Sequence, residues 1–210
     1  MTRGRRHENS RLRRGNDRLA HAAPRLSCVG VLLIAACGLM LGVPPHISAQ
    51  SEETAEYPVK LAFLYQFAQF VQWPPQAFEN PTAPLVVCVV GEDPFDPNLE
   101  QELLNHTVDK HPIAFMSVKR GANLKSCHMV FVPAPQSKQA ASIIEGLRGS
   151  PVLTIGETKG FALRGGIINF TIEQGKLHFE INLDAAQQTP LTISSKVLAL
   201  AKIIREPAHP

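Results

Sequence analysis

The residue types in this chain that could do chemistry are few and scattered: four cysteines, eight histidines and one Ser-Ser-Lys triplet. A metal centre needs ligands at short, regular spacing. Among His106, His111, His128, His178 and His209 no two stand at i, i+4, so no metal site is expected. Cys127 and His128 are adjacent, but neighbouring side chains of a strand point to opposite faces. The stretch 91–96 (Gly-Glu-Asp-Pro-Phe-Asp) lacks the alternating oxygen ligands of a calcium loop and reads as a turn leading into a helix. Ser194-Ser195-Lys196 puts serine beside lysine, without the Ser-x-x-Lys spacing that brings an amine to a hydroxyl one turn away. Helix capping is its expected role. There is no Gly-x-Ser-x-Gly elbow, and Gly165-Gly166 lacks a phosphate-loop pattern. No catalytic residue and no cofactor are expected; the chain reads as a binding protein rather than an enzyme.

The compartment decides what the cysteines can do. Residues 1–27 carry eight arginines against Glu8 and Asp17, and an uncharged run of 16 residues follows from position 28 to 43. Ser48 and Ala49 come just before Gln50. A basic segment, a short apolar core and a small-residue exit together form a secretory signal peptide. The apolar run is shorter than the roughly 20 residues of a spanning helix. Cleavage is expected near Ala49, leaving residues 50–210 as a single periplasmic domain. Two other readings compete: an uncleaved anchor, and a lipobox at Ile34-Ala35-Ala36-Cys37 whose cysteine would be acylated.

Removing the leader reverses the charge. Of 21 basic and 18 acidic residues, 8 and 2 lie in residues 1–49, leaving 13 and 16 in the remainder. The basic character belongs to the leader, and the case for nucleic-acid binding leaves with it. Cys88 and Cys127 remain, an even pair in an oxidising compartment, and a disulfide between them is expected. Two buried free thiols acting as small apolar residues are the alternative.

Patterning supplies the elements that would position these groups. Residues 56–73 read as an amphipathic helix with Phe63, Phe67 and Phe70 on its buried stripe, Lys60 on its polar side and Pro74-Pro75 as its stop. Strands are expected at 84–91, 112–118, 129–132 and 151–155, and helices at 97–104 and 138–147. This alternation implies an α/β fold: a layered, largely parallel sheet flanked by helices. Residues 167–171 and 176–183 flank a Gly-containing turn and read as a C-terminal hairpin. Ser194 or Ser195 would cap a final helix that buries Val197, Leu200, Ala201 and Ile204, with Pro207 ending it. In the second hairpin strand Glu180 and Asn182 share one face. They are either a solvated sheet face or a polar anchor in a groove, close to the helix start at Ser194, Ser195 and Lys196, where free N–H groups favour anions.

The blocks 57–74 (YPVKLAFLYQFAQFVQWP), 84–95 (PLVVCVVGEDPF), 127–132 (CHMVFV), 151–170 (PVLTIGETKGFALRGGIINF), 179–186 (FEINLDAA) and 191–201 (LTISSKVLALA) resemble, in order, the YfiR family of periplasmic proteins. The resemblance implies an α/β repressor that binds the periplasmic sensor domain of an inner-membrane diguanylate cyclase, or a similar kinase receptor. Its release would raise cyclic-di-GMP and promote biofilm formation. Cys88 and Cys127 match the family's early cysteine pair. A second pair, tied to redox control in the founding member, has no counterpart between Thr154 and Phe161, which counts against redox switching and not against repression. A second copy of the chain and a small ligand are further candidate partners. The competing reading is a periplasmic small-molecule-binding sensor module.

Overall fold

The computed structural model describes residues 50–205, and side chains from Glu56 onward. The expected leader, its cleavage point, Cys37, Pro207 and His209 lie outside the described residues.

A long helix, α1 (Gln50–Phe70), opens the domain. It ends three residues before the expected Trp73, because β1 (Val71–Gln72) pairs antiparallel with β9 (Thr192–Ile193) and that ladder requires extended backbone. The chain then alternates: β2 (Leu85–Val90), α2 (Pro97–Leu104), β3 (Thr107–Val108), β4 (His111–Val118), β5 (Met129–Val132), α3 (Ala140–Leu147) and β6 (Leu153–Gly156). The hairpin β7 (Ile168–Glu173) and β8 (Lys176–Asn182) follows, then α4 (Leu183–Gln187), α5 (Ser195–Leu198) and β10 (Lys202–Ile204). One sheet runs β10-β8-β7-β6-β5-β2-β4-β3. It is parallel except at the β7–β8 and β3–β4 pairs. The α/β layer expected from the alternation is thus present, with two short edge strands added.

Both faces of the sheet are covered, which is why β2 reads Leu-Val-Val-Cys-Val-Val with no polar alternation. On one face Val87, Val89, Met129, Phe131, Ile168, Phe170, Phe179 and Ile181 pack beneath Leu61, Leu64, Phe67 and Ala68 of α1. Phe67 lies 5.2 Å from Phe179 and 5.9 Å from Phe170, centroid to centroid. Burying a side chain of this size contributes roughly 3 kcal/mol. On the other face Cys88, Val90, Val130 and Val132 meet Ala140, Ile144 and Leu147 of α3. Cys88 and Cys127 form the expected disulfide across 39 residues. It ties the start of β5 to the middle of β2.

Two local expectations are corrected. The final helix is four residues long, and Leu200, assigned to its buried stripe, is 75 % exposed. After Ala201 the chain extends into β10, whose pairing with β8 replaces helical hydrogen bonds. Lys60, assigned to the polar side of α1, is buried. Its ammonium has carboxylate partners, Glu56 and Glu157, which offset the cost of taking a bare charge out of water.

Candidate functional site

Parallel α/β sheets bind ligands beyond the carboxyl ends of their strands, where loops diverge and no helix seals the edge. Here β6 stops at Gly156, opposite Asn169, while β7 runs on to Glu173. The hairpin therefore projects past the edge and walls a groove of about 470 Å³. Glu157, the residue after β6, forms the near wall with Lys159 and Gly160; Glu56 at the α1 start and Asn169, Thr171 and Glu180 on the hairpin complete it. Leu163 and Ile172, about half exposed, give it an apolar rim.

Glu157 is held from several sides. Its carboxylate accepts from the Tyr57 hydroxyl at 3.1 Å and from the Ala134 backbone N–H at 2.6 Å, and it pairs with Lys60. The Lys60 ammonium also pairs with Glu56 and sits 4.5 Å from the centre of the Tyr57 ring. On the hairpin, Asn169 donates its amide to Glu180 at 3.3 Å, and Glu180 pairs with Lys202 at 3.3 Å. Asn169 is fully buried, yet its Oδ1, like Thr171 Oγ1, has no hydrogen-bond partner. Buried polar atoms are almost always paired, so each unpaired one calls for a reason. Both atoms lie just behind the groove wall, closed to solvent, so a donor from a partner side chain or a small molecule would reach them only with a shift of that wall.

The sequence-derived site residues divide. Glu180 stands in the groove wall. Asn182 is fully buried and occupied within the fold: it caps α4 by accepting from Ala185 N–H at 2.9 Å and donates to Ala162 O at 2.7 Å. Ser194 caps α5, its Oγ accepting from Lys196 N–H at 3.3 Å. Ser195 and Lys196 are exposed, and the Lys196 ammonium lies 5.6 Å from the centre of the Phe70 ring. Phe70 is ten residues beyond Lys60 on α1, about 15 Å at the helical rise of 1.5 Å per residue. The fold therefore brings Glu180 to Glu157 and leaves the 194–196 segment at the other end of α1. Lys60, Glu157, Asn169 and Thr171 were not singled out by the sequence. The available signals were a carboxylate directly after an apolar parallel strand and an asparagine inside Ile-Asn-Phe.

Elsewhere titratable groups are shifted by their surroundings. Burial holds the His128 imidazole below its ordinary value, opposed by the hydrogen bond to Ala77 and reinforced by His111. Burial, then the adjacent Asp93 carboxylate, pushes Glu100 up to about 7. No cluster of three or more His, Cys, Asp or Glu side chains suited to a metal is found among the described residues.

The sheet order and the groove define an open, doubly covered α/β domain with a polar site at the carboxyl edge of its sheet. Residues 57–202 match the YfiR/HmsC-like family, and the chain belongs to it. No curated protein matches the chain at a significant level.

Proposed function

We propose that the chain is a periplasmic regulator that binds the sensor domain of an inner-membrane diguanylate cyclase, or a similar receptor, and holds it inactive. Family membership across nearly the whole described domain carries this reading. Two observations agree with it. The Cys88–Cys127 disulfide fits an oxidising compartment, and no helix among the described residues is long and apolar enough to cross a membrane. Repression needs only that the regulator bind one receptor state better than the other. The carboxyl-edge groove, with Glu180 and the unmet Asn169 carbonyl beside exposed Leu163 and Ile172, is the surface we assign to that contact.

The test is direct. Residues 50–210 are added to membranes carrying a diguanylate cyclase with a periplasmic sensor domain, and cyclic-di-GMP output is measured. Output should fall, and Leu163→Glu should weaken the effect. Lys196→Glu in the same assay reads whether the 194–196 segment takes part. Unchanged output at saturating protein rejects repression.

A second reading, a small-molecule sensor module, is favoured by the unpaired Asn169 Oδ1 and Thr171 Oγ1. A ligand at 100 times its dissociation constant would add about 2.7 kcal/mol of stability, so a thermal-shift screen separates the readings. A screen with no hits discards the second.

A further inference from the structure

On the opposite face of the sheet, between the outer side of α3 and the loop joining β4 to β5, lies a groove of about 560 Å³. Its walls carry Lys119, Arg120 and Lys125 on the loop and Lys138 on the turn before α3. No carboxylate lines it, and none of these four cations forms an ion pair with a described residue. This is unexpected where residues 50–210 hold 16 acids against 13 bases. Surfaces normally intersperse the two signs, because unpaired like charges repel. The floor is apolar, formed by Ile143 and Leu147.

Two further features bear on the space itself. Gly146 stands inside α3, where glycine costs about 1 kcal/mol relative to alanine. A Cβ there would meet nothing within 4 Å, so packing does not demand the glycine; it keeps the groove clear. The loop wall is also preformed. Asn123 accepts from Lys125 N–H at 3.1 Å, and Cys127, just past the loop, is fixed by its disulfide to Cys88. A preformed wall lowers the ordering cost of binding.

We propose that this groove binds an organic phosphate, a phosphate ester on a small carbon body, the four cations meeting the phosphate and the apolar floor the carbon. The volume falls within the ~300–1,000 Å³ of small-ligand sites. A membrane-lipid headgroup and a free phosphate ester share this chemistry, and the two arms of the experiment distinguish them.

Residues 50–210 are tested for co-sedimentation with vesicles of equal parts phosphatidylcholine and phosphatidylglycerol, with pure phosphatidylcholine as the control. Separately, sn-glycerol 3-phosphate is titrated by calorimetry. Binding is expected in at least one arm. Lys119→Ala/Lys138→Ala should weaken it by roughly tenfold or more, with the melting temperature unchanged. Gly146→Leu keeps every charge but fills the groove, and should weaken binding equally; its fold is checked by circular dichroism. Failure of both arms overturns the proposal, as does a Gly146→Leu protein that binds like wild type, which would make the cations an open patch. Neither readout involves a cyclase, so this proposal and the repressor reading fail independently.

Discussion

Lys60 and Glu157 stand 97 residues apart in sequence, yet their side chains pair with only 4 % and 3 % of their surface open to solvent. The pair fastens the first helix to the loop that leaves β6. Removing one partner of such a pair leaves a buried charge unmet and costs about 3–5 kcal/mol, whereas replacing both with apolar groups is often near neutral. Glu157→Leu leaves Lys60 with Glu56 as its remaining carboxylate, so it should lower unfolding free energy by about 3 kcal/mol, the low end of that range, in urea titrations. Lys60→Met/Glu157→Leu should recover most of the loss. Additive losses would show that the two side chains are not coupled.

Cys88–Cys127 closes a loop with a sequence separation of 39. In the chain-entropy account such a closure limits the unfolded ensemble and contributes roughly 4 kcal/mol. Cys88→Ser/Cys127→Ser should lose about 2–4 kcal/mol, and a thiol reductant should lower the melting temperature of the wild type but not of the variant. Mass analysis under non-reducing conditions should find neither Cys88 nor Cys127 as a free thiol.

His128 supplies a pH dependence. Its Nδ1 accepts from Val86 N–H at 3.0 Å, so Nε2 carries the proton toward Ala77 O at 3.1 Å, and the Phe78 ring stacks 4.3 Å away. Protonating Nδ1 would break the first bond and charge a buried ring. The folded-state pKa lies below the ordinary 6.5, so the unfolded chain binds the extra proton first. The contribution is complete above pH 6.5 and declines as pH falls below it. His128→Gln should flatten the acid side of a stability–pH curve and leave the region above pH 7.5 parallel to wild type. An acid limb of unchanged slope would exclude His128 as its source.

Periodicity and punctuation made the fold's layers legible. The apolar runs at β2 and β5 have no alternation because helices cover both faces, and Asp96 with Pro97 marks the start of α2 as Asp96 accepts from Asn98 N–H at 2.7 Å. Of the residues lining the candidate groove, the sequence singled out only Glu180. Lys60 sits among glutamines at a polar helical position, and nothing local announces that Glu157 is folded against it. Asn169 is one residue within an apolar strand, and its unmet carbonyl exists only once β6 ends beside it. The C-terminal segment misled for a related reason: Val197 and Ala201 fit a helical stripe, but the open edge of β8 offers β10 a ladder that a short helix cannot match.

Phe161 explains why glycine stands at positions 156 and 166. Its fully buried ring lies against both Gly156 and Gly166: a Cβ at Gly156 would come within 2.4 Å of the ring and one at Gly166 within 2.1 Å. Neither approach leaves room for even a methyl group, and the ring is fully buried in the apolar cluster on the α3 face of the sheet. Overpacking of this kind typically costs about 1–3 kcal/mol. Gly166→Ala should therefore destabilise by that amount in chemical denaturation. Phe161→Leu, which creates some space at its own cost, should make a subsequent Gly166→Ala nearly free. If instead Gly166→Ala costs the same in both backgrounds, the penalty arises from the backbone at Gly166 and not from the ring.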